Sequence, residues 1–152
     1  MLNILPGTLS SSPEKEDIFI RTLAEKNEVL NAIEVQLAVH NFLAKEIFGI
    51  RLALDEAIVN GIKHGHKFDP TKTVHLAYTI ADGKFHVDIT DEGPGFDPTS
   101  VPDPLAVENL ERPSGRGLFL MSSYMKTVEF NEAGNRVSMT KETASIHAEK
   151  RQ

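Results

Sequence analysis

Val74-His75-Leu76-Ala77-Tyr78-Thr79-Ile80-Ala81-Asp82-Gly83-Lys84-Phe85-His86-Val87-Asp88-Ile89 is the stretch whose reading decides the fold. Val74, Leu76, Tyr78 and Ile80 alternate with polar or small residues, and so do Phe85, Val87 and Ile89. A period of two places each set on one face of a strand, with Ala81-Asp82-Gly83 as the turn between them. The stretch predicts a β-hairpin with one covered face.

Working outward towards the N-terminus, the period changes to that of a helix. Ile50, Leu54, Ile58 and Ile62 are four apart within a helix expected over 50–64, with Gly65 placed for a left-handed cap. Gly49 is expected to separate it from an earlier helix carrying Leu30, Ile33, Leu37 and Phe42, and Ile18-Phe19-Ile20 up to Leu23 reads as a short strand. Towards the C-terminus, 94–113 holds five prolines and little periodicity, much longer than an ordinary connection. Beyond it come a short helix over 116–123, a strand over 127–130, a turn at 132–135 and a returning strand over 136–141. These elements predict one α+β domain, an antiparallel sheet with helices on one face, spanning 17–141. Residues 1–16 read as a loop-like extension and 142–152 as a solvated tail.

Composition narrows the class. The 152 residues include no cysteine, so disulfides and thiolate metal sites are excluded, and a cytoplasmic location is expected. No apolar run approaches the length of a membrane span, and 1–7 lacks a signal-peptide pattern. A formal charge of −6 with scattered basic residues argues against nucleic acid as a ligand.

Three elements carry chemistry. Glu56, Asn60 and His64 stack as a polar stripe on one helix, with Lys63 beside it. Such a stripe usually faces water, but apolar and small residues surround this one, and Gly61 sits mid-helix where it costs about 1 kcal/mol relative to alanine unless something packs closely. The alternative is a wall for Mg-nucleotide: an amide oxygen of Asn60 for Mg²⁺, Lys63 for phosphates, Glu56 as proton acceptor. Second comes Asp91-Glu92-Gly93-Pro94-Gly95, an ordinary loop by composition. Strand parity nevertheless puts Asp91 on the covered face with Phe85, Val87 and Ile89, where a carboxylate needs hydrogen-bond donors such as the exocyclic amine of adenine. Gly93 and Gly95 would let backbone approach a flat base. Third, Arg112-Pro113-Ser114-Gly115-Arg116-Gly117-Leu118 is a glycine-rich stretch running into a helix, either a simple helix-start loop or an anion site. It is not a Walker A loop.

Helix Glu56-x-x-x-Asn60, strand-ending Asp91-x-Gly93-x-Gly95 and Gly115-x-Gly117 before a helix, in that order, resemble the GHKL ATPase/kinase superfamily. The similarity is greatest to stand-alone anti-sigma serine kinases, through Leu54-Asp55-Glu56-Ala57-Ile58-Val59-Asn60 and Arg112 to Met121. The resemblance implies a Bergerat-type two-layer α/β sandwich binding ATP and Mg²⁺. It implies that Asn60 binds Mg²⁺, Glu56 polarises a serine hydroxyl, Asp91 recognises adenine, and 96–114 forms a lid. Lys63, Gly93, Gly95, Gly115, Arg116, Gly117 and Leu118 complete the expected nucleotide site. The implied partners are an anti-anti-sigma protein bearing the acceptor serine, a sigma factor, and a second copy in a homodimer. Many relatives carry threonines on the final strand, whereas this chain reads Gly134-Asn135-Arg136-Val137-Ser138, so no residue is nominated there. His64 and His66 with Asp69 could form a metal cluster but read as a solvated turn, while His75 and His86 fall on the polar side of the hairpin. Two other functions compete: an ATP-switched binding module without phosphoryl transfer, and a detached histidine-kinase catalytic domain. The latter lacks its acceptor pattern around Val39-His40-Asn41-Phe42.

Overall fold

The computed structural model describes residues 15–67, 69, 71–93 and 113–145. Five strands form one sheet: β1 (Glu16–Ile20), β2 (Val74–Ala81), β3 (Lys84–Thr90), β4 (Thr127–Phe130) and β5 (Arg136–Glu142), in the order β1-β2-β3-β5-β4 with every pairing antiparallel. The β2–β3 hairpin is its centre. Asp82 and Gly83 both adopt positive φ, 53° and 77°, the conformation whose twist suits a two-residue hairpin turn. Register pairs Leu76 with Ile89 and Tyr78 with Val87, and Ile89 and Val87 in turn with Val137 and Met139 of β5. These side chains are all buried and make up the covered face.

Helices α1 (Leu23–Val39) and α2 (Ala44–Asn60) supply the other layer. Helix α1 opens with a capping box: Thr22 Oγ1 accepts the Glu25 N–H at 3.1 Å, and Glu25 Oε1 accepts the Thr22 N–H. It buries Leu30, Ile33 and Leu37, and α2 buries Ile50, Leu54 and Ile58, as their spacing predicts. Buried aliphatic side chains of this size stabilise by roughly 1.5–3 kcal/mol each. Ion pairs Lys26–Asp55 and Arg51–Glu34 join the two helices. Helix α3 (Pro113–Tyr124) packs on α2. The α+β sandwich expected from the sequence is the architecture of the described residues.

Several local expectations are corrected. Leu23 opens α1 rather than ending a strand. The two helices part at 40–43, where Asn41 takes φ 66°, a conformation that asparagine tolerates better than most residues. Gly49 lies inside α2 because a Cβ there would come within 2.7 Å of Tyr124 Cδ1; it is a contact glycine, not a break. Past Asn60 the helix continues as a single π-helical turn, Gly61–Gly65, and the left-handed residue is Lys67 (φ 51°), not Gly65. Helix α3 starts at Pro113, a residue suited to a first helical position and three residues before the expected start at 116, so Gly115 joins Arg116, Gly117 and Leu118 within the helix and Gly115-x-Gly117 does not precede it. The expected solvated tail begins docked: Thr143 is buried, and its hydroxyl donates to Glu46 at 2.7 Å.

Candidate nucleotide site

The site lies where the C-terminal end of α2 meets the end of β3. Gly61 explains the approach: a Cβ there would sit 3.0 Å from Val74 Cγ2 and 3.2 Å from Asp91 Cβ. The mid-helix glycine thus has the close neighbour its position predicted, and that neighbour is the carboxylate selected by strand parity. Asp91 and Gly61, the residue that follows Asn60, are 30 residues apart in the chain and are brought into contact here.

Glu56 and Asn60 are partly buried, one helical turn apart on α2. Asn60 Oδ1 is buried and accepts no hydrogen bond among the described residues. A buried oxygen without a donor is costly, and this one suits a cation that takes oxygen ligands. The residues present therefore fit Mg²⁺ at Asn60. Lys63 is exposed on the π-helical turn.

Asp91 is held from several directions. Its N–H donates to Asn135 O at 2.9 Å, and Asn135 Nδ2 donates weakly back to Asp91 O at 3.4 Å. Its Oδ1 accepts the Gly93 N–H at 2.7 Å, while Oδ2 accepts no hydrogen bond among the described residues. Burial pushes the Asp91 carboxyl above the usual carboxylate range, against the opposing pull of the Gly93 amide. A partly buried carboxylate with one oxygen to spare is suited to accept from an amine-bearing ligand.

Sequence reasoning missed two of the supports. His66, expected in a solvated turn, is only 4% exposed, and its Nε2 accepts the Glu92 N–H at 2.7 Å. Asn135 sits where no residue was nominated, braced by Asn131, whose Nδ2 donates to Asn135 Oδ1 at 2.8 Å. The Asn131 and Asn135 pair around Gly134 was the available signal, since asparagines bond backbone in turns. The inner-face positions of β5 nearest the site are filled by Val137 and Met139, both apolar and buried.

Gly95 and residues 96–112, most of the expected lid, lie outside the described residues. Gly115, Arg116, Gly117 and Leu118 occupy the first two turns of α3, and of the first-turn amides, which have no partner within their own helix, Gly115 contributes one. His75 and His86 are half-exposed beside Asp17 and Asp88 on the polar side of the hairpin. Among the described residues no helix is long and apolar enough to cross a membrane.

Residues 21–141 match the family model described as the histidine kinase-like ATPase domain. The chain is 32% identical over 123 residues to an anti-sigma F factor of Clostridium botulinum (strain Eklund 17B / Type B), covering 73% of this chain and 85% of that protein. It is 33% identical over 94 residues to an anti-sigma F factor of Geobacillus sp. (strain WCH70), covering 60% and 64% of the two chains. It is also 31% identical over 104 residues to the serine-protein kinase RsbW of Staphylococcus aureus (strain JH9), covering 63% and 65%.

Proposed function

We propose, from the premise that this chain belongs to the histidine kinase-like ATPase domain family, that it is an ATP-dependent protein-serine kinase acting as an anti-sigma regulatory factor. The observation that carries the site assignment is the buried Asn60 Oδ1, without a partner among the described residues, next to Gly61, whose missing Cβ admits Asp91. In this reading Asn60 holds Mg²⁺, whose charge offsets that of the ATP phosphates. Asp91 Oδ2 accepts from the adenine amine, and Gly93 and Gly95 give the base room. Lys63, Arg116 and the N-terminal end of α3, with the amide of Gly115 and the small or apolar Gly117 and Leu118 beside it, serve the phosphates.

Glu56 takes the proton of the partner's serine hydroxyl as that oxygen bonds to the γ-phosphorus and the bond to ADP breaks. The acceptor is a small anti-anti-sigma protein, a sigma factor is the second partner, and the working unit is a homodimer. The test is transfer of labelled γ-phosphate to a serine of the cognate anti-anti-sigma protein. Glu56→Gln should keep nucleotide affinity and lose about 10²–10⁴-fold in transfer rate. Wild-type protein that binds ATP and tightens on its sigma factor yet labels no serine would instead make it an ATP-switched binding module.

A further inference from the structure

The turn that presents Asp91 has three consecutive amides, each held by a different group. Asp91 N–H goes to Asn135 O across the sheet, Gly93 N–H goes to the Asp91 carboxylate itself, and Glu92 N–H goes to His66 Nε2 at 2.7 Å. Of the three, only the Glu92 bond reaches a side chain from the helical layer. His66 is fixed in turn at its backbone: its N–H donates to Gly61 O at 2.8 Å, and its carbonyl accepts the Asp69 N–H at 3.0 Å. The Gly61 bond is the one that closes the π-helical turn, so the ring is anchored to the same segment that ends the Glu56/Asn60 helix. Single π-helical turns inside α-helices often mark functional sites, because the extra residue redirects the chain beyond it. Besides its amide, the Glu92 carboxylate accepts the Thr73 N–H at 2.6 Å, so the turn is pinned on its outer side too.

We propose that His66 is a positioning residue for base recognition: through Nε2 it ties the Asp91–Gly93 turn to the end of α2, keeping Asp91 Oδ2 in place for the amine of an adenine nucleotide. This rests on the reading that Asp91 recognises adenine. A buried imidazole that accepts a backbone N–H leaves no freedom for the turn to swing away from Gly61. Without the acceptor, the Glu92 amide must find water, and the carboxylate next to it loses its fixed direction. The phosphate end of the site, on the helix itself, does not depend on this bond.

The experiment measures ATP and GTP binding by calorimetry in the full chain, with His66→Gln and His66→Asn as the informative pair. Glutamine puts an amide oxygen where Nε2 lies, whereas asparagine reaches only as far as Nδ1. The preference for ATP over GTP should fall about three- to tenfold in His66→Asn, through weaker ATP binding with GTP unchanged, and return in His66→Gln. His66→Met, which keeps the bulk and lacks a strong acceptor, takes the place of His66→Asn if that variant does not fold. A folded His66→Asn or His66→Met protein with the wild-type preference overturns the proposal, as does equal loss for both nucleotides or no recovery with glutamine. Asp91→Asn separates the two levels: if it leaves the preference unaltered, the adenine reading of Asp91 itself fails, whatever the His66 variants do.

Discussion

At the N-terminal end of α2, Glu46 points a carboxylate into the protein and finds three donors: the Leu43 N–H at 2.8 Å, the Thr143 hydroxyl at 2.7 Å and the Ala144 N–H at 2.8 Å. Facing the C-terminal end of the same helix, Asp91 is partly buried, yet among the described residues only its Oδ1 accepts a hydrogen bond, from the Gly93 N–H. The two titrate in opposite directions. Burial raises the Glu46 carboxyl, but the Ala144, Leu43 and Thr143 bonds and the charge of Lys141 outweigh it and hold the group below its usual range. For Asp91 burial wins, and the group lies above its range. The difference separates a staple from a site: a carboxylate whose lone pairs are used within the fold stabilises the fold, and one left partly unused is available to a ligand.

Removing the staple should give the largest effect. Glu46→Ala leaves two backbone amides and a hydroxyl without their acceptor, so urea unfolding should show a loss of about 2–4 kcal/mol, with ATP affinity in the folded protein within about twofold of wild type. If nucleotide binding fell in step with stability, the two ends of α2 would not be separable in this way. Asp91→Asn should do the reverse. ATP affinity drops by about 10- to 100-fold, or roughly 1.4–2.8 kcal/mol, while stability is unchanged or rises by up to ~1 kcal/mol, since a desolvated charge is gone. A clear destabilisation would make Asp91 a second staple.

Gly61→Ala probes the contact between the two halves of the site. Alanine favours the helix by about 1 kcal/mol, but its Cβ would press on Val74 Cγ2 and Asp91 Cβ, both fixed by the sheet. Overpacking of this kind costs about 1–3 kcal/mol, so a net loss near 1 kcal/mol with weaker ATP binding is expected. A stabilised variant with unchanged affinity would show that Asp91 can move away freely.

The smallest effect is in acid. Glu46, lowered from 4.5, contributes stability that is present above that value and is lost as pH falls through its folded pKa. Asp91, raised from 3.8, carries a penalty that is present above its folded pKa and relieved as pH falls towards 3.8. Unfolding followed from pH 6 to pH 3 should therefore be shallower than wild type for Glu46→Gln and steeper for Asp91→Asn, each by less than about 1.4 kcal/mol per pH unit. Identical slopes would remove the electrostatic distinction.

Much of this was legible in the chain. The hairpin registers, the 50/54/58/62 stripe and the parity of Asp91 depend only on the periods of strand and helix, which side-chain order alone reveals. Gly61 was visible as an anomaly for the same reason, since a glycine in mid-helix is a local cost that calls for a neighbour. Gly49 raised the same question and was misread as a break, because Tyr124, the side chain that needs its space, is 75 residues away.

By itself, then, the sequence determined the alternation of strand and helix, the apolar face of each, and the order Glu56, Asn60, Asp91, Gly115 that resembles one superfamily. Tertiary structure decided what each polar group bonds to. His66 became a buried acceptor, Asn135 a brace for Asp91 and Glu46 an anchor for Thr143 only when segments 26 to 97 residues apart met. The physical reason is that periodicity is a property of neighbours along the chain, whereas the satisfaction of a buried donor or acceptor depends on whatever the fold places within about 3 Å of it.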